Sequence, residues 1–284
     1  MISKNNMEEK DNWMITQNQD ELKKQFDAIR EKYAQGKKRE SLNVLLFGLY
    51  GSGKTTILRT ARKPILLAMF DPGGEKVLRK EIAEGSVLVL DYTSEERKKP
   101  TEYMRWEKDF EAHSKSGLLD NVGSYCIDSL TTWFQCLMNA IVARKNRDEG
   151  QPAIQDWGVA KNVVIDMIKR ACDHDCDFFL TAHMTNEKDE LTGEILSDLN
   201  AFKSLRPLLP ILFDEKWITE STKSGPDKTK YQLKLESSGR YRASSRIKGQ
   251  SDKIKSVMEP DIKAILKLAD FDVSDKPNLF GESK

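Results

Sequence analysis

Three glycines and a lysine stand close together where an apolar run of the sequence ends. Residues 42 to 47 are apolar apart from Asn43, Gly48 follows them, and Gly53, Lys54 and Thr55 complete the pattern G-x-x-x-x-G-K-T. Glycines let the backbone point its N–H groups at phosphate oxygens, and the start of a following helix adds positive potential. This pattern between a strand and a helix is typical of a P-loop and predicts a nucleoside triphosphate site. The alternative is a glycine-rich connection without a ligand.

Different residues of this loop are expected to make different contacts with a nucleotide. The side chain of Lys54 is placed to reach the β and γ phosphates, and the hydroxyl of Thr55 to bind Mg²⁺. The guanine-reading pattern Asn-Lys-x-Asp is absent, and residues 186–189 do not replace it, which disfavours a GTPase. We therefore expect ATP and Mg²⁺ as cofactors. The expected cofactor-binding residues are Gly48, Tyr50, Gly51, Ser52, Gly53, Lys54, Thr55 and Thr56.

A second apolar strand ends in an acidic residue. Residues 124–127 precede Asp128, and hydrolysing P-loop enzymes need an acid at such a strand end to orient the water shell of the metal. We therefore assign Thr55 and Asp128 to the metal site, and Lys54 and Asp128 to catalysis. Asp128 could also cap the helix that follows it, and the two roles are compatible.

The composition describes a chain with balanced charge. The 284 residues include 46 lysines and arginines against 45 aspartates and glutamates, so any basic binding surface must be local. The first thirty residues are polar and no run reaches membrane-spanning length, so we expect a cytoplasmic protein with no membrane partner. Cys172 and Cys176 lack the paired second half of a zinc site, so we expect the cysteines to act as small apolar residues.

Strands and helices alternate from residue 42 onward. Nearly continuous apolar strands separated by helices predict an α/β fold with a largely parallel sheet covered on both faces. Short, partly alternating strands after residue 214 predict an antiparallel extension. The predicted strands are residues 42–47, 64–70, 86–90, 124–127, 178–182, 216–220, 231–235 and 240–244. The predicted helices are residues 54–61, 75–82, 159–171 and 260–270, and one that follows Asp128.

The chain divides into three predicted segments. Residues 1–40 form an arm and an amphipathic helix, whose apolar stripe could dock on the core or on a neighbouring subunit. Residues 41–250 form the core, and residues 251–284 form a last helix and a polar tail.

Residues 127–131, Ile-Asp-Ser-Leu-Thr, and the order of strands around them resemble the RecA/DnaB-like branch of P-loop ATPases. Within it the chain is similar to small phage-encoded ATPases related to single-strand-annealing recombination proteins, over about residues 42–250. The resemblance implies a RecA-like core that hydrolyses ATP between the subunits of a homo-oligomer. It also implies action on single-stranded DNA in recombination or replication, with a DNA-binding protein partner, in the cytoplasm of a phage host.

Two further catalytic candidates follow from this resemblance. His183 ends the strand at residues 178–182, where RecA-like proteins carry a polar side chain that senses the γ-phosphate. Arg246 matches the arginine of a late strand that reaches the nucleotide site of a neighbouring subunit, although Ser244 replaces the lysine of that motif. The alternatives are a structural histidine and a solvated surface charge.

The position of the general base differs from the pattern of RecA-like enzymes. RecA-like enzymes usually carry a glutamate two residues after the aspartate that ends the second strand, and here Gly73 occupies that position. Glu75 stands two residues later and is the first candidate, with Asp71 as a substitute. Glu75 could instead only begin the next helix, where an acid suits the helix dipole. The displacement predicts slow hydrolysis.

A DNA-contacting stretch is expected after His183. Residues 185–210 are predicted to be irregular, with Lys188, Lys203 and Arg206 as cations and Phe202 as the single aromatic residue. Because the charge is mixed, two other functions stay open. One is a nucleotide-dependent assembly factor with little turnover, and the other is a small-molecule kinase.

Overall fold

The computed structural model describes residues 19–31, 41–145, 151–188, 193, 195–226 and 228–277, with only the backbone of residue 196. The chain forms two compact units, Met1–Arg39 and Glu40–Lys284. In the first unit, helix α1 spans residues 19–31, and Leu22, Phe26 and Ile29 are exposed along it. The predicted arm and Tyr33 lie outside the described residues.

One sheet organises the second unit. Its strands follow the order β10-β8-β7-β1-β5-β4-β2-β3, with β6 paired to β5 and β9 paired to β7. The strands are β1 (Asn43–Gly48), β2 (Ile65–Met69), β3 (Val87–Asp91), β4 (Ser124–Asp128), β5 (Asp177–Lys188), β6 (Ile195–Leu199), β7 (Glu215–Lys223), β8 (Thr229–Lys234), β9 (Ser244–Ser245) and β10 (Val257–Met258). Strands β3, β2, β4, β5, β1 and β7 are mutually parallel, and β8 and β10 are antiparallel to their neighbours.

Helices cover both faces of this sheet. They are α2 (Lys54–Leu58), α3 (Gly74–Val77), α4 (Arg79–Ala83), α5 (Glu102–Lys115), α6 (Leu118–Asn121), α7 (Leu130–Arg144), α8 (Ile154–Cys172) and α9 (Ile262–Leu268). Side chains of α5, α7 and α8 pack in one apolar cluster, and those of α2 and α9 in a second cluster. The α/β class, the largely parallel sheet with helices on both faces and the C-terminal antiparallel strands are confirmed.

Several predicted elements are wrong in detail. The strand at residues 216–220 lies within β7, which runs parallel to β1 on one side and antiparallel to β8 on the other. The antiparallel extension therefore begins at β8 and not at β7. The helix at residues 75–82 is two short helices, α3 and α4, and α5 lies where no element was predicted.

The stretch after His183 is also more regular than predicted. Strand β5 continues to Lys188 and pairs antiparallel with β6, so residues 185–199 include a hairpin rather than an irregular loop. Of the strand predicted at residues 240–244, only Ser244 belongs to a strand, β9. Within the described residues, no helix has both the length and the apolar character needed to cross a bilayer.

Candidate nucleotide site

The P-loop follows β1 at the carboxyl edge of the sheet and leads into α2. Gly51 and Gly53 have φ angles of 72° and 92°, in the left-handed region that favours glycine. A Cβ atom on Gly48 would lie 2.4 Å from Thr219 Oγ1 and 2.5 Å from Ser52 Oγ, so the close packing of this residue excludes a side chain. The three glycines are therefore required by backbone geometry and by space.

Two polar side chains fix the loop from inside. Ser52 Oγ lies 2.7 Å from Thr219 Oγ1, which ties the loop to β7. The buried ammonium of Lys54 donates to the carbonyl oxygens of Gly48 at 3.1 Å and Leu49 at 3.0 Å. Burial lowers the pKa of Lys54, and the nearby carboxylates of Asp128 and Asp71 act in the opposite direction.

Asp128 ends β4 and lies between two hydroxyl groups. Thr55 Oγ1 donates to Asp128 Oδ2 at 2.6 Å, and the hydroxyl of Thr181 on β5 donates to Asp128 Oδ1. Burial raises the pKa of Asp128, against the hydrogen bonds from Thr181 and Thr55. The adjacent hydroxyl and carboxylate oxygens suit Mg²⁺, which proteins commonly bind through one or two such groups together with substrate phosphates.

Asp71 lies beside this pair because the backbone holds it there. The N–H groups of Phe70 and Asp71 both donate to the carbonyl oxygen of Asp128, at 2.6 Å and 3.0 Å. Asp71 Oδ2 lies 2.9 Å from His183 Nε2, and the hydroxyl of Thr132 donates to Asp71 Oδ1. Burial acts to raise the pKa of Asp71, but the hydrogen bonds from His183 and Thr132 outweigh it, so the pKa lies below its usual value.

Lys54, Thr55, Asp71, Asp128 and His183 line one cavity of about 290 Å³. Tyr50, Val77 and Tyr231 also line it, and all three are exposed, Tyr50 at 93 %. Gly48 and Ser52, which belong to the same loop, do not line the cavity. The predicted site residues that line the cavity are Tyr50, Gly51, Gly53, Lys54, Thr55, Thr56, Asp71, Asp128 and His183.

Two predicted catalytic residues are not brought to this cavity. Glu75 is exposed in the first turn of α3 and does not line the cavity. Arg246 is not on a strand: it precedes the 3-10 helix Ile247–Gln250, and its guanidinium pairs with Asp214 at 3.1 Å. Its backbone N–H donates to Glu215, which pairs with the start of β1, whereas the P-loop follows the end of β1. Arg246 therefore lies toward the amino ends of the parallel strands, whereas its own P-loop lies at their carboxyl ends.

No group of three or more His, Cys, Asp and Glu side chains that could hold a metal ion occurs among the described residues. A cation at Asp128 and Thr55 would thus depend on phosphate oxygens for further ligands. In the segment that invited a zinc hypothesis, His174 pairs with Asp120 and contacts Ser114 instead.

Some residues of the site had no recognised signal in the sequence. Thr132 and Thr219 hold Asp71 and Ser52 from distant positions in the chain. Thr181 could have been recognised, because it is a polar residue inside a buried apolar strand two positions before His183.

No protein-family model matches this chain, and no curated protein sequence matches it. Among solved structures, the chain is similar to the flagellar accessory protein FlaH from Methanocaldococcus jannaschii. The two are 12 % identical, the match covers 71 % of this chain and 79 % of that chain, and the TM-score is 0.40. The strand order, in which β5 alone separates the P-loop strand from the Asp128 strand, is consistent with the RecA-like core that the sequence predicts.

Proposed function

We propose that this chain binds ATP with Mg²⁺ and hydrolyses it slowly. The observation that carries the proposal is the meeting of Lys54, Thr55, Asp71, Asp128 and His183 in one cavity. They come from four separate segments of the chain, and hydrogen bonds hold Thr55, Asp71, Asp128 and His183 to one another. A glycine-rich connection without a ligand would not need such an arrangement behind it.

Each of these five residues has its own proposed role in the transfer of the γ-phosphoryl group to water. Lys54 balances negative charge on the β and γ phosphates, and Thr55 and Asp128 hold Mg²⁺, which neutralises the charge that develops on the phosphate oxygens. Asp71 is ionised and faces the cavity, so it can orient a water molecule and accept its proton. His183 holds Asp71 in place. It lines the same cavity as Lys54, and we propose that it contacts the terminal phosphate.

The position of Asp71 makes it the better candidate for the base than Glu75. Asp71 is fixed by the Asp128 carbonyl and by His183, whereas Glu75 is exposed outside the cavity. An aspartate that is also paired with a histidine is a weak base, so we expect slow turnover.

ATP turnover by matched carboxylate variants tests this assignment. Asp71→Asn should lower kcat about a hundredfold with ATP binding retained, because only the proton acceptor is lost. Glu75→Gln should remain near the wild-type rate, and Lys54→Ala serves as the blank. If Glu75→Gln loses turnover while Asp71→Asn keeps it, the base is Glu75. If the wild type does not exceed Lys54→Ala, the chain is not an ATPase.

We further propose that the chain acts as a homo-oligomer on single-stranded DNA in recombination or replication of the phage type. The resemblance supports this role, and so do the exposed apolar side chains of Leu49, Tyr50 and Val77 near the nucleotide cavity, which suit a subunit contact. ATP turnover should rise with single-stranded DNA. If nucleotide increases the size of the protein assembly, but single-stranded DNA neither changes ATP turnover nor retains the protein, an assembly factor is the better description. Turnover that depends on an added small-molecule acceptor would indicate a kinase.

A further inference from the structure

A second cavity, of about 540 Å³, opens beside the β5–β6 hairpin. It shares no lining residue with the nucleotide cavity. Four of its side chains are cationic and two are acidic, which leaves an excess of two positive charges. The lining residues are Glu187, Asp198, Lys203, Arg206, Pro207, Pro210, Lys216 and Arg242.

Lys216 on β7 is the unusual member of this set. It is only 9 % exposed, and its ammonium lies 5.1 Å from the ring centre of Phe47. Within the described part of the chain this ammonium has no hydrogen bond and no ion pair. Burial lowers the pKa of Lys216, and the charge of Asp198 acts in the opposite direction without reaching ion-pair distance. A nearly buried cation without a bonded anion costs folding free energy, which a bound anion would offset.

Of the other three cations of the cavity, one is neutralised by a neighbouring acid and two are not. Arg206 pairs with Glu187 at 2.7 Å, so these two charges cancel. Lys203 and Arg242 are exposed, and the described residues offer neither of them an ion pair. Lys203, Lys216 and Arg242 thus face the single remaining carboxylate of Asp198.

We propose that this cavity binds a phosphate group of a single-stranded nucleic acid, with Lys216 at its floor and Arg242 at its rim. This proposal rests on the proposed action on single-stranded DNA and names residues that would contact the DNA. Ammonium and guanidinium groups are the usual protein partners of backbone phosphates. The cavity is wide and open to solvent, so a polymer can pass over it while one phosphate enters.

The test is the binding of a fluorescent oligothymidylate by the full-length chain over a range of salt concentrations. Lys216→Met keeps the length and apolar character of the buried side chain and removes the charge. It should weaken binding about tenfold and lower the slope of log affinity against log salt by about 0.7, the value for one phosphate contact on a single strand. Arg242→Gln, which alters an exposed side chain, should act in the same direction.

Lys253→Met removes an exposed lysine outside the cavity and is the matched control. If the wild type binds the oligonucleotide and both cavity variants bind it equally well with the same salt slope, the proposal is wrong. Loss of binding in Lys253→Met to the same degree would also overturn it, because the effect would then be general charge.

A second arm separates a nucleic acid phosphate from free phosphate. Inorganic phosphate is titrated against Lys54→Ala, so that the P-loop does not contribute, and against Lys54→Ala with Lys216→Met. A thermal shift by phosphate that requires Lys216, without any effect of Lys216→Met on oligonucleotide binding, would overturn the nucleic acid assignment. The proposed ATPase function fails separately, through wild-type turnover no higher than that of Lys54→Ala.

Discussion

Asp128 is surrounded by two hydroxyl groups and has the Lys54 ammonium within electrostatic range. The hydrogen bonds from Thr55 and Thr181 partly replace lost water, yet burial still raises the pKa of Asp128. A carboxylate kept ionised in such a place lowers the stability of the folded chain while it prepares a site for a cation.

Replacing Asp128 with Asn should therefore stabilise the protein and abolish turnover. Without nucleotide or Mg²⁺, we expect the free energy of unfolding to rise by about 1 kcal/mol at neutral pH. The folded-state pKa lies above the ordinary value of 3.8, so ionisation starts to cost stability as the pH rises past that value. The gap between variant and wild type should widen up to the folded-state pKa and then stay constant. Urea denaturation across this range would contradict the argument if the variant were less stable at neutral pH.

Gly53 gives a second test at this scale. Gly53→Ala would place a side chain at a φ of 92° and a Cβ atom 3.1 Å from the ring of Tyr231. The loop must shift to relieve both, so we expect at least a tenfold loss of ATP affinity by calorimetry. Gly249→Ala adds a Cβ atom in open space and should bind ATP as the wild type does.

The residues of this site differ in how far the sequence could predict them. The P-loop and Asp128 are local patterns, because strand, loop and helix follow one another along the chain. The pairing of Asp71 with His183 joins residues 112 positions apart, and the order of strands in the sheet decides it. No spacing rule relates two such positions.

Among the elements, α5 shows why helices with many charges are missed. Seven of its 14 residues are Asp, Glu, Lys or Arg, and they obscure the pattern of the apolar side chains that the helix buries. Tyr103, Trp106 and Phe110 recur at spacings of three and four, which is the signal that could have found it. Apolar strands such as β2 and β4 were easier to predict, because every residue of them is buried.

Trp106 anchors α5 to the sheet. Its ring packs edge-on against Trp133 at 4.9 Å, and its indole N–H donates to the hydroxyl of Tyr125 at 2.9 Å. Trp106→Ala should lower the free energy of unfolding by about 3–5 kcal/mol, because it leaves a large cavity and an unpaired hydroxyl. Met104→Ala, on the exposed side of the same helix, should cost well under 1 kcal/mol. Equal losses in the two variants, measured by chemical denaturation, would show that α5 is not held through Trp106.

At the scale of the whole molecule, residues 271–277 close the second unit rather than form a free polar tail. The N–H of Lys276 donates to the Lys63 carbonyl at 2.9 Å, and the N–H of Lys63 donates to Asp275 at 2.6 Å. Phe271 and Val273 pack against the apolar cluster that contains α9. The polar composition of the segment concealed these contacts, since most of them use backbone groups or charged side chains.

Truncation should distinguish this segment from the residues that follow it. Deleting residues 271–284 should lower the free energy of unfolding by about 2 kcal/mol or more, through lost apolar burial and lost hydrogen bonds. Deleting residues 278–284 removes none of the contacts described above and should leave the melting temperature unchanged. A melting temperature that falls equally in both deletion variants would show that the contacts of residues 271–277 contribute little.

Strand β5 serves both cavities with one continuous run of backbone. Thr181 donates to Asp128 and His183 contacts Asp71 at the first cavity, and Glu187, four residues further on, lines the second cavity. Side chains alternate along a strand, so inserting or deleting one residue between positions 183 and 187 would turn Glu187 to the other side of the hairpin. The length of this short interval therefore keeps the lining residues of both cavities in place, and insertions should be tolerated far less here than in the loops at the surface.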